Sequence, residues 1–464
     1  SPYMPCLYNI EYALVLLISS TLSGATSLRL DAAPIHQVQS HLDECITLDS
    51  CWQYPVKLHS GLDFVNCSTK FGIESSAKHG PDGVRLKLTV ESIGPECESG
   101  DVMKAHVHGP EDFTVGVDIR LPQVVEFNSA EFVLPFPGWY AVDIFHHYIK
   151  GLGQAGPNTN KMFGNRSMTC GIELSPTCAA YSNMGLFRTN RRTCDFKRDD
   201  PTKGFWQISN LKRVWHPWGG CTTPAVPSGE DLKNTHGVGQ IAVIGTSRPR
   251  TFFYDMLHLL EYRFDHPKDK HGDMSVRSAT GPDVHFMWGD CMQDLKPGPL
   301  YGTLESSDAY QKHLSSWFAE HQVCESKDSV VVFSIGMCEI DRSPFDTAER
   351  YVIDVLRRVA QTCRRPHRVI VASEMAVHQE YKCPFSENGM SNERIVMINT
   401  IVQREAQKLG LEFLDLYNIT SSYFPNDSRE PLAHYFHKKE DHKKPSYFGN
   451  KASRQIAKIL LASF

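Results

Sequence analysis

Five short apolar runs after Gly239 constrain the fold of this chain more than any other feature. They read IAVIG (Ile241 to Gly245), VHFMWG (Val284 to Gly289), SVVVFSIG (Ser329 to Gly336), HRVIVASE (His367 to Glu374) and LEFLDLY (Leu411 to Tyr417). Unbroken Val/Ile runs of this length mark strands buried on both faces. Helical patterns fall between them, over Phe345–Cys363, Asn392–Leu409 and Asn450–Leu461, the last with Ile456, Ile459 and Leu460 on one side. Strands alternating with helices predict a parallel sheet covered by helices, an α/β domain over residues 239–464.

A chain of 464 residues exceeds what one core usually serves, so further domains are expected upstream. Between Gly83 and Ile149 short runs alternate with period two, as in VRLKLTV (Val84 to Val90), FTVGVDIRL (Phe113 to Leu121) and WYAVDIFHHYI (Trp139 to Ile149). Gly, Pro and Asp turns separate them, which predicts an all-β, Ig-like sandwich. Together with a lead-in carrying Cys45, Cys51 and Cys67, it spans residues 28–150. Over 151–238 the periodicity is lost and Cys170, Cys178, Cys194 and Cys221 accumulate, which reads as a Cys-rich loop or linker segment. Its WHPWGGC stretch (Trp215 to Cys221) suits either a ligand groove or stacking on disulfides.

The segment YALVLLISSTL (Tyr12 to Leu22), followed by small residues at Ala25 and Ser27, reads as a signal peptide over residues 1–27. It is too short for a comfortable membrane span, so no stable span is expected after its removal. Four N-x-[ST] acceptors, at Asn66, Asn165, Asn418 and Asn426, agree with export as a glycoprotein. So do fourteen cysteines, thirteen of them beyond the leader, an odd number that leaves one thiol free or intermolecular. No CxxC pair or Cys/His cluster at zinc spacing occurs, so disulfides are expected and a metal is not. A net charge of −5 argues against a nucleic-acid partner.

In a parallel sheet, ligands sit beyond the carboxyl ends of the strands. After the first run comes Gly245-Thr246-Ser247-Arg248-Pro249-Arg250. A serine in a glycine-tight turn between strand and helix presents its hydroxyl, and its own N–H can help bind an oxyanion. The same residue type caps helices, so the motif alone leaves both roles open. Gly289 and Gly336 end the second and third runs, where a backbone N–H could approach an oxyanion. Asp441 precedes PSYFGN and the last helix, a place for a base and its orienting carboxylate.

On these residues the chain resembles the SGNH (GDSL-like) hydrolases, whose sheet is flavodoxin-like, and within them the PC-esterase branch. The family's G-D-S-x-x-R block is met by Gly245, Thr246, Ser247 and Arg250, followed by Gly289, Gly336 and EDHKKPSYFGNKAS. The sandwich and the cysteine-bearing segment upstream are similar in architecture to the neurexophilin and PC-esterase domain family. The resemblance implies a serine esterase or O-acyltransferase fold that needs no cofactor. Its closing D-x-x-H-P block reads here Asp441, His442, Lys443, Lys444 and Pro445, with lysine at the histidine position. A protonated lysine does not accept the serine proton, and the family's asparagine block reads Gly336-Met337-Cys338-Glu339.

Two readings follow. In one, the chain is a secreted, catalytically degenerate module that binds a glycan or an extracellular protein. In the other, it is an active carbohydrate O-acetylesterase or O-acetyltransferase with Ser247 as nucleophile, His442 as base and Asp441 orienting it.

Overall fold

The computed structural model describes residues 46–53, 69–80, 83–93, 102–110, 114–119, 129–149, 162–174, 192–196, 198–209, 212–219, 221–265, 272–289, 304–336, 339–340, 345–364, 366, 368–376, 392–423 and 451–464. The first strands are β1 (Ile46–Gln53), β2 (Thr69–Gly80), β3 (Gly83–Ile93), β4 (Val102–His108), β5 (Thr114–Ile119), β6 (Ser129–Leu134), β7 (Gly138–Ile149) and β8 (Met162–Leu174). They are followed by β9 (Arg192–Thr193), β10 (Gly204–Ser209), β11 (Lys212–Pro217) and β12 (Cys221–Thr222).

One antiparallel sheet runs β1-β8-β7-β4-β5-β10-β11 and another β2-β3-β6, while β9 and β12 form a short parallel pair. Period two is visible in the burial. Ala105 and Val107 of β4, Tyr140 and Val142 of β7, and Ile172 and Leu174 of β8 are all buried. Val84 and Leu86 of β3 are buried in the same way, as are Phe132 and Leu134 of β6.

The stretch read from sequence as a loop or linker holds β8, β10 and β11, which belong to the seven-stranded sheet. Two causes hid them. In β8 the sequence MFGNRSMTC alternates poorly, and its partners β7 and β1 supply the pairing that propensity does not. In the β10–β11 hairpin, Trp206 and Trp215 point into the core of the α/β domain, so the period reflects a different neighbour. Trp206 Nε1–H donates to the Ile419 carbonyl at 2.9 Å, and Trp215 Nε1–H donates to the Pro201 carbonyl at 2.8 Å.

The second half contains α1 (Gly229–Asn234), β13 (Gln240–Gly245), α2 (Ser247–Leu259), β14 (Met274–Val276), β15 (Asp283–Trp288), α3 (Leu304–His321), β16 (Ser329–Ser334), α4 (Phe345–Thr362), β17 (Arg368–Ala372), α5 (Asn392–Lys408), β18 (Glu412–Leu414), α6 (Tyr417–Ser421) and α7 (Lys451–Ser463). The sheet order is β14-β15-β13-β16-β17-β18, parallel except for the antiparallel edge strand β14. Without that edge, the parallel strands run 2-1-3-4-5, the flavodoxin-like doubly wound order. The predicted α/β domain is therefore present, with each of the five apolar runs at a strand.

Successive strand residues feed two cores. Ala242, Ile244, Val331, Phe333, Val369 and Val371 face α3, α4 and α5. Ile241, Val243, Val330, Val332, Ile370 and Ala372 face α2 and α7. Helix α4 shows why it forms here: Phe345, Ala348, Tyr351, Val352, Val355, Leu356 and Val359 are buried at helical spacing, and its exposed positions are polar. Helix α3 was not singled out from sequence, yet Tyr310, Leu314, Trp317 and Phe318 are buried along it.

Two disulfides lie among the described residues, Cys194–Cys221 and Cys324–Cys363. The first closes within the cysteine-bearing stretch, and the second ties the segment after α3 to the end of α4. Among the described residues no helix is long and apolar enough to cross a membrane. The apolar segment from Tyr12 to Leu22 lies outside the described residues.

Candidate functional site

The doubly wound sheet reverses direction at β13: the chain moves to β15 on one side and returns to β16 on the other. The crevice at such a switch point lies beyond the carboxyl end of that strand. The residues occupying it are Gly245, Thr246 and Ser247.

Local sterics explain the glycine. Gly245 has φ +154°, and a Cβ there would meet Pro249 Cγ at 2.6 Å and the Ser334 carbonyl oxygen at 3.1 Å. Ser247 is then the first residue of α2, with Thr246 at the N-cap in extended geometry. The Thr246 hydroxyl is buried and forms no hydrogen bond, so it caps none of the N–H groups of the first turn. Those groups and the helix dipole favour negative charge at this end. Pro249 is compatible with the first turn, where a missing N–H costs no intrahelical bond.

Arginines brace the turn. Arg248, 1% exposed, donates from Nη1 to the Met375 carbonyl, linking the start of α2 to the exit of β17. Arg250 lies 4.8 Å over the Trp288 ring as a cation–π pair. The sequence places these arginines, but their packing comes from strands β15 and β17.

Gly289 and Gly336 both stand at the mouth of the sheet. The Gly289 N–H donates to the Gly245 carbonyl at 3.2 Å, and a Cβ at Gly289 would lie 2.5 Å from the Tyr310 hydroxyl. Gly289 therefore contributes a missing side chain here, and its N–H continues the strand pairing. Gly336 has φ +130°, accepts from the Ile340 N–H at 3.0 Å, and leaves room beside Ile398 and Glu374.

Glu374 is a site residue that sequence reasoning passed over. It follows β17 directly and is 1% exposed. Its backbone N–H donates to Asn399 Oδ1 at 2.8 Å, and Asn399 Nδ2–H donates to its carbonyl at 2.9 Å. Its Oε1 accepts from the Ser334 hydroxyl at 3.1 Å. The signal was present, because Glu374 is the final residue of the fourth apolar run, where strand ends carry ligand-facing groups. Glu339 is buried too.

Asp441, His442 and Lys444 lie outside the described residues, as do Asn66 and Asn426. Asn165 is in β8, in register with His146 of β7. Asn418 sits on α6 and donates from Nδ2 to Asp415 Oδ2 at 2.7 Å. Among the described residues, no group of three or more His, Cys, Asp or Glu is placed to hold a metal.

No family model matches the chain, and no curated protein matches it. Solved structures do match. A mutant of Axe2, an acetyl-xylooligosaccharide esterase from Geobacillus stearothermophilus, is 14% identical over 52% of this chain and 97% of its own, with TM-score 0.28. A putative acylhydrolase from Bacteroides fragilis is 12% identical over 51% and 89%, with TM-score 0.28. Est24, a carbohydrate acetylesterase from Sinorhizobium meliloti, is 11% identical over 48% and 97%, with TM-score 0.26. Likeness at this level carries no chemistry from those proteins to this chain.

Proposed function

We propose that the chain is a secreted glycoprotein whose C-terminal domain is an SGNH-type scaffold of the PC-esterase branch, catalytically degenerate and kept as a glycan-directed extracellular module. The observation that carries the reading is the pairing of an intact nucleophile turn with a disarmed closing block. Gly245, Ser247 and Arg250 keep the family pattern, whereas Lys444 replaces the histidine of D-x-x-H-P. Without a base the Ser247 hydroxyl stays a weak nucleophile, and loss of the base from a Ser-His pair costs roughly 10⁴- to 10⁶-fold in rate.

The second reading is an active carbohydrate O-acetylesterase or O-acetyltransferase. It is favoured by the uncapped start of α2, which suits an oxyanion beside the Ser247 N–H. Here Ser247 attacks the acetyl ester, His442 takes its proton and Asp441 orients the imidazole; Gly289 and Gly336 line the oxyanion side.

One experiment separates them. The folded protein is treated with a fluorophosphonate and mapped by peptide mass, beside a Lys444→His variant. The degenerate reading expects no label on Ser247 in the parent and acetyl-ester hydrolysis gained in the variant. Stoichiometric labelling of parent Ser247, or hydrolysis of an acetylated sugar by the parent, establishes the active reading instead.

A further inference from the structure

A cavity of about 410 Å³ opens where three parts of the molecule meet. Its walls are β6, the β10–β11 hairpin with Trp218 just beyond it, and the α5, β18 and α6 segment. The hairpin is pinned by Trp206 and Trp215 in the α/β core, which fixes where Trp218 stands. Trp218 is itself braced, since its backbone N–H donates to the Lys203 carbonyl at 2.9 Å and its ring lies 4.7 Å from that of Phe205. Within the WHPWGGC stretch, Trp215 packs into the α/β core beside Trp206, and Trp218 lines the cavity.

The polar lining is built around Asp415, the first residue after β18. Its Oδ1 accepts from the Tyr417 N–H at 2.9 Å and the Ser373 hydroxyl at 3.2 Å, and its Oδ2 from Asn418 Nδ2 at 2.7 Å. These bonds fill Oδ1 and leave one acceptor site on Oδ2. Gln403 on exposed α5 positions and Glu131 on β6 add amide and carboxylate groups. The cation in the lining, Lys203, is 3.4 Å from Asp200. A single lysine, already paired, offers no cationic cluster for a phosphate, sulfate or acidic sugar.

We infer that this cavity is a binding site for a neutral pyranose unit, with one face of the sugar ring on the Trp218 indole and its hydroxyls on Asp415, Asn418 and Gln403. The volume is at the small end for ligand pockets, matching one ring and not an extended chain. An aromatic face joined to a few fixed acceptors and donors is the combination that a polyhydroxylated ring with an apolar face satisfies. The cavity opens at the carboxyl edge of the sheet that carries Ser247, three strands away, roughly 14 Å by strand spacing. A single ring seated here stays clear of the Ser247 turn. The inference deepens the glycan-directed reading above and takes its ligand class from it.

The test is calorimetric titration of the full chain with the methyl glycosides of glucose, galactose, N-acetylglucosamine and N-acetylgalactosamine. At least one is expected to bind with Kd near 1 mM, as a single-ring ligand does. Trp218→Ala is expected to weaken it at least tenfold and Gln403→Ala about threefold; Lys312→Ala, at an exposed position of α3 outside the cavity lining, should leave it unchanged. Gln403→Trp, which fills the cavity from an exposed helix position, should abolish binding even if Trp218→Ala fails to fold. Absence of binding by all four sugars overturns the inference. Binding that survives Gln403→Trp overturns the cavity assignment alone and leaves the glycan-directed reading standing.

Discussion

Asp255 on α2 accepts a hydrogen bond from the Ser453 hydroxyl on α7, inside the buried seam between those helices. Burial pushes the Asp255 carboxyl up to about 7 from an ordinary 3.8, and the Ser453 bond and the Arg454 charge offset only part of that. The folded protein therefore keeps a proton that the unfolded chain releases near pH 4. Stability is full below that pH, falls as pH rises toward 7, and is level above it. Asp255→Asn stays neutral throughout. It is expected to raise the unfolding free energy from urea titration at pH 8 by on the order of 2–4 kcal/mol, and to leave it unchanged at pH 3.5. Equal effects at both pH values would contradict this account.

His285 gives the opposite slope. Its Nδ1 lies 2.9 Å from the Ser275 hydroxyl and its ring 4.7 Å from that of His321. Burial, then the His321 charge, pushes the His285 imidazole down to about 4; Arg277 adds to the fall and Asp283 opposes it. The folded state holds it neutral, so its contribution is present above the ordinary value of 6.5 and is lost as pH falls toward 4. Midpoints at pH 7 and pH 4.5 should differ less in His285→Gln than in the parent. A parallel shift in both proteins would rule the residue out as a source of acid sensitivity.

Gly245→Ala tests the turn between β13 and α2. A φ of +154° excludes most side chains, and the new methyl would meet Pro249 and the Ser334 carbonyl. We expect a loss of about 2 kcal/mol or more by denaturant unfolding, with the sharpest changes in hydrogen exchange at the start of α2. A neutral substitution would mean that the turn relaxes without this glycine.

Asn418 is expected to be the unmodified acceptor among the sequons. Its Nδ2, the atom a glycan would occupy, is committed to Asp415, and the Thr420 hydroxyl of the same sequon is buried and donates to the Leu416 and Tyr417 carbonyls. Glycopeptide mapping of secreted protein should return Asn418 as bare asparagine. A fully occupied Asn418 would require α6 and the adjoining cavity to be arranged differently.

What the sequence disclosed was whatever a single neighbour dictates. Ile241 to Ile244 and Ser329 to Phe333 are buried on both faces, so their runs are unbroken and legible. Gly245 and Ser247 were legible because a steric rule at one backbone position points to them. The strands β8 and β10 were not, since their form depends on partners distant in the chain: Cys170 is in register with Cys51, and Trp206 packs against Tyr423. Glu374 was missed for a related reason. Its importance lies in Asn399 and Ser334, which reach it from another helix and another strand.

The hairpin that sends Trp206 and Trp215 into the α/β core has a consequence for how this chain can be divided. A gene fragment beginning at Gly239 would encode every strand of the six-stranded sheet and every helix from α2 onward, yet it would leave the hollow that receives two indoles open to water. Apolar surface of that size invites association with other molecules. The smallest piece able to live by itself therefore starts upstream of Gly204, inside what the residue pattern marks as a connector. Evolutionary shuffling at the apparent boundary would be penalised for the same reason, and the two halves are expected to be inherited together.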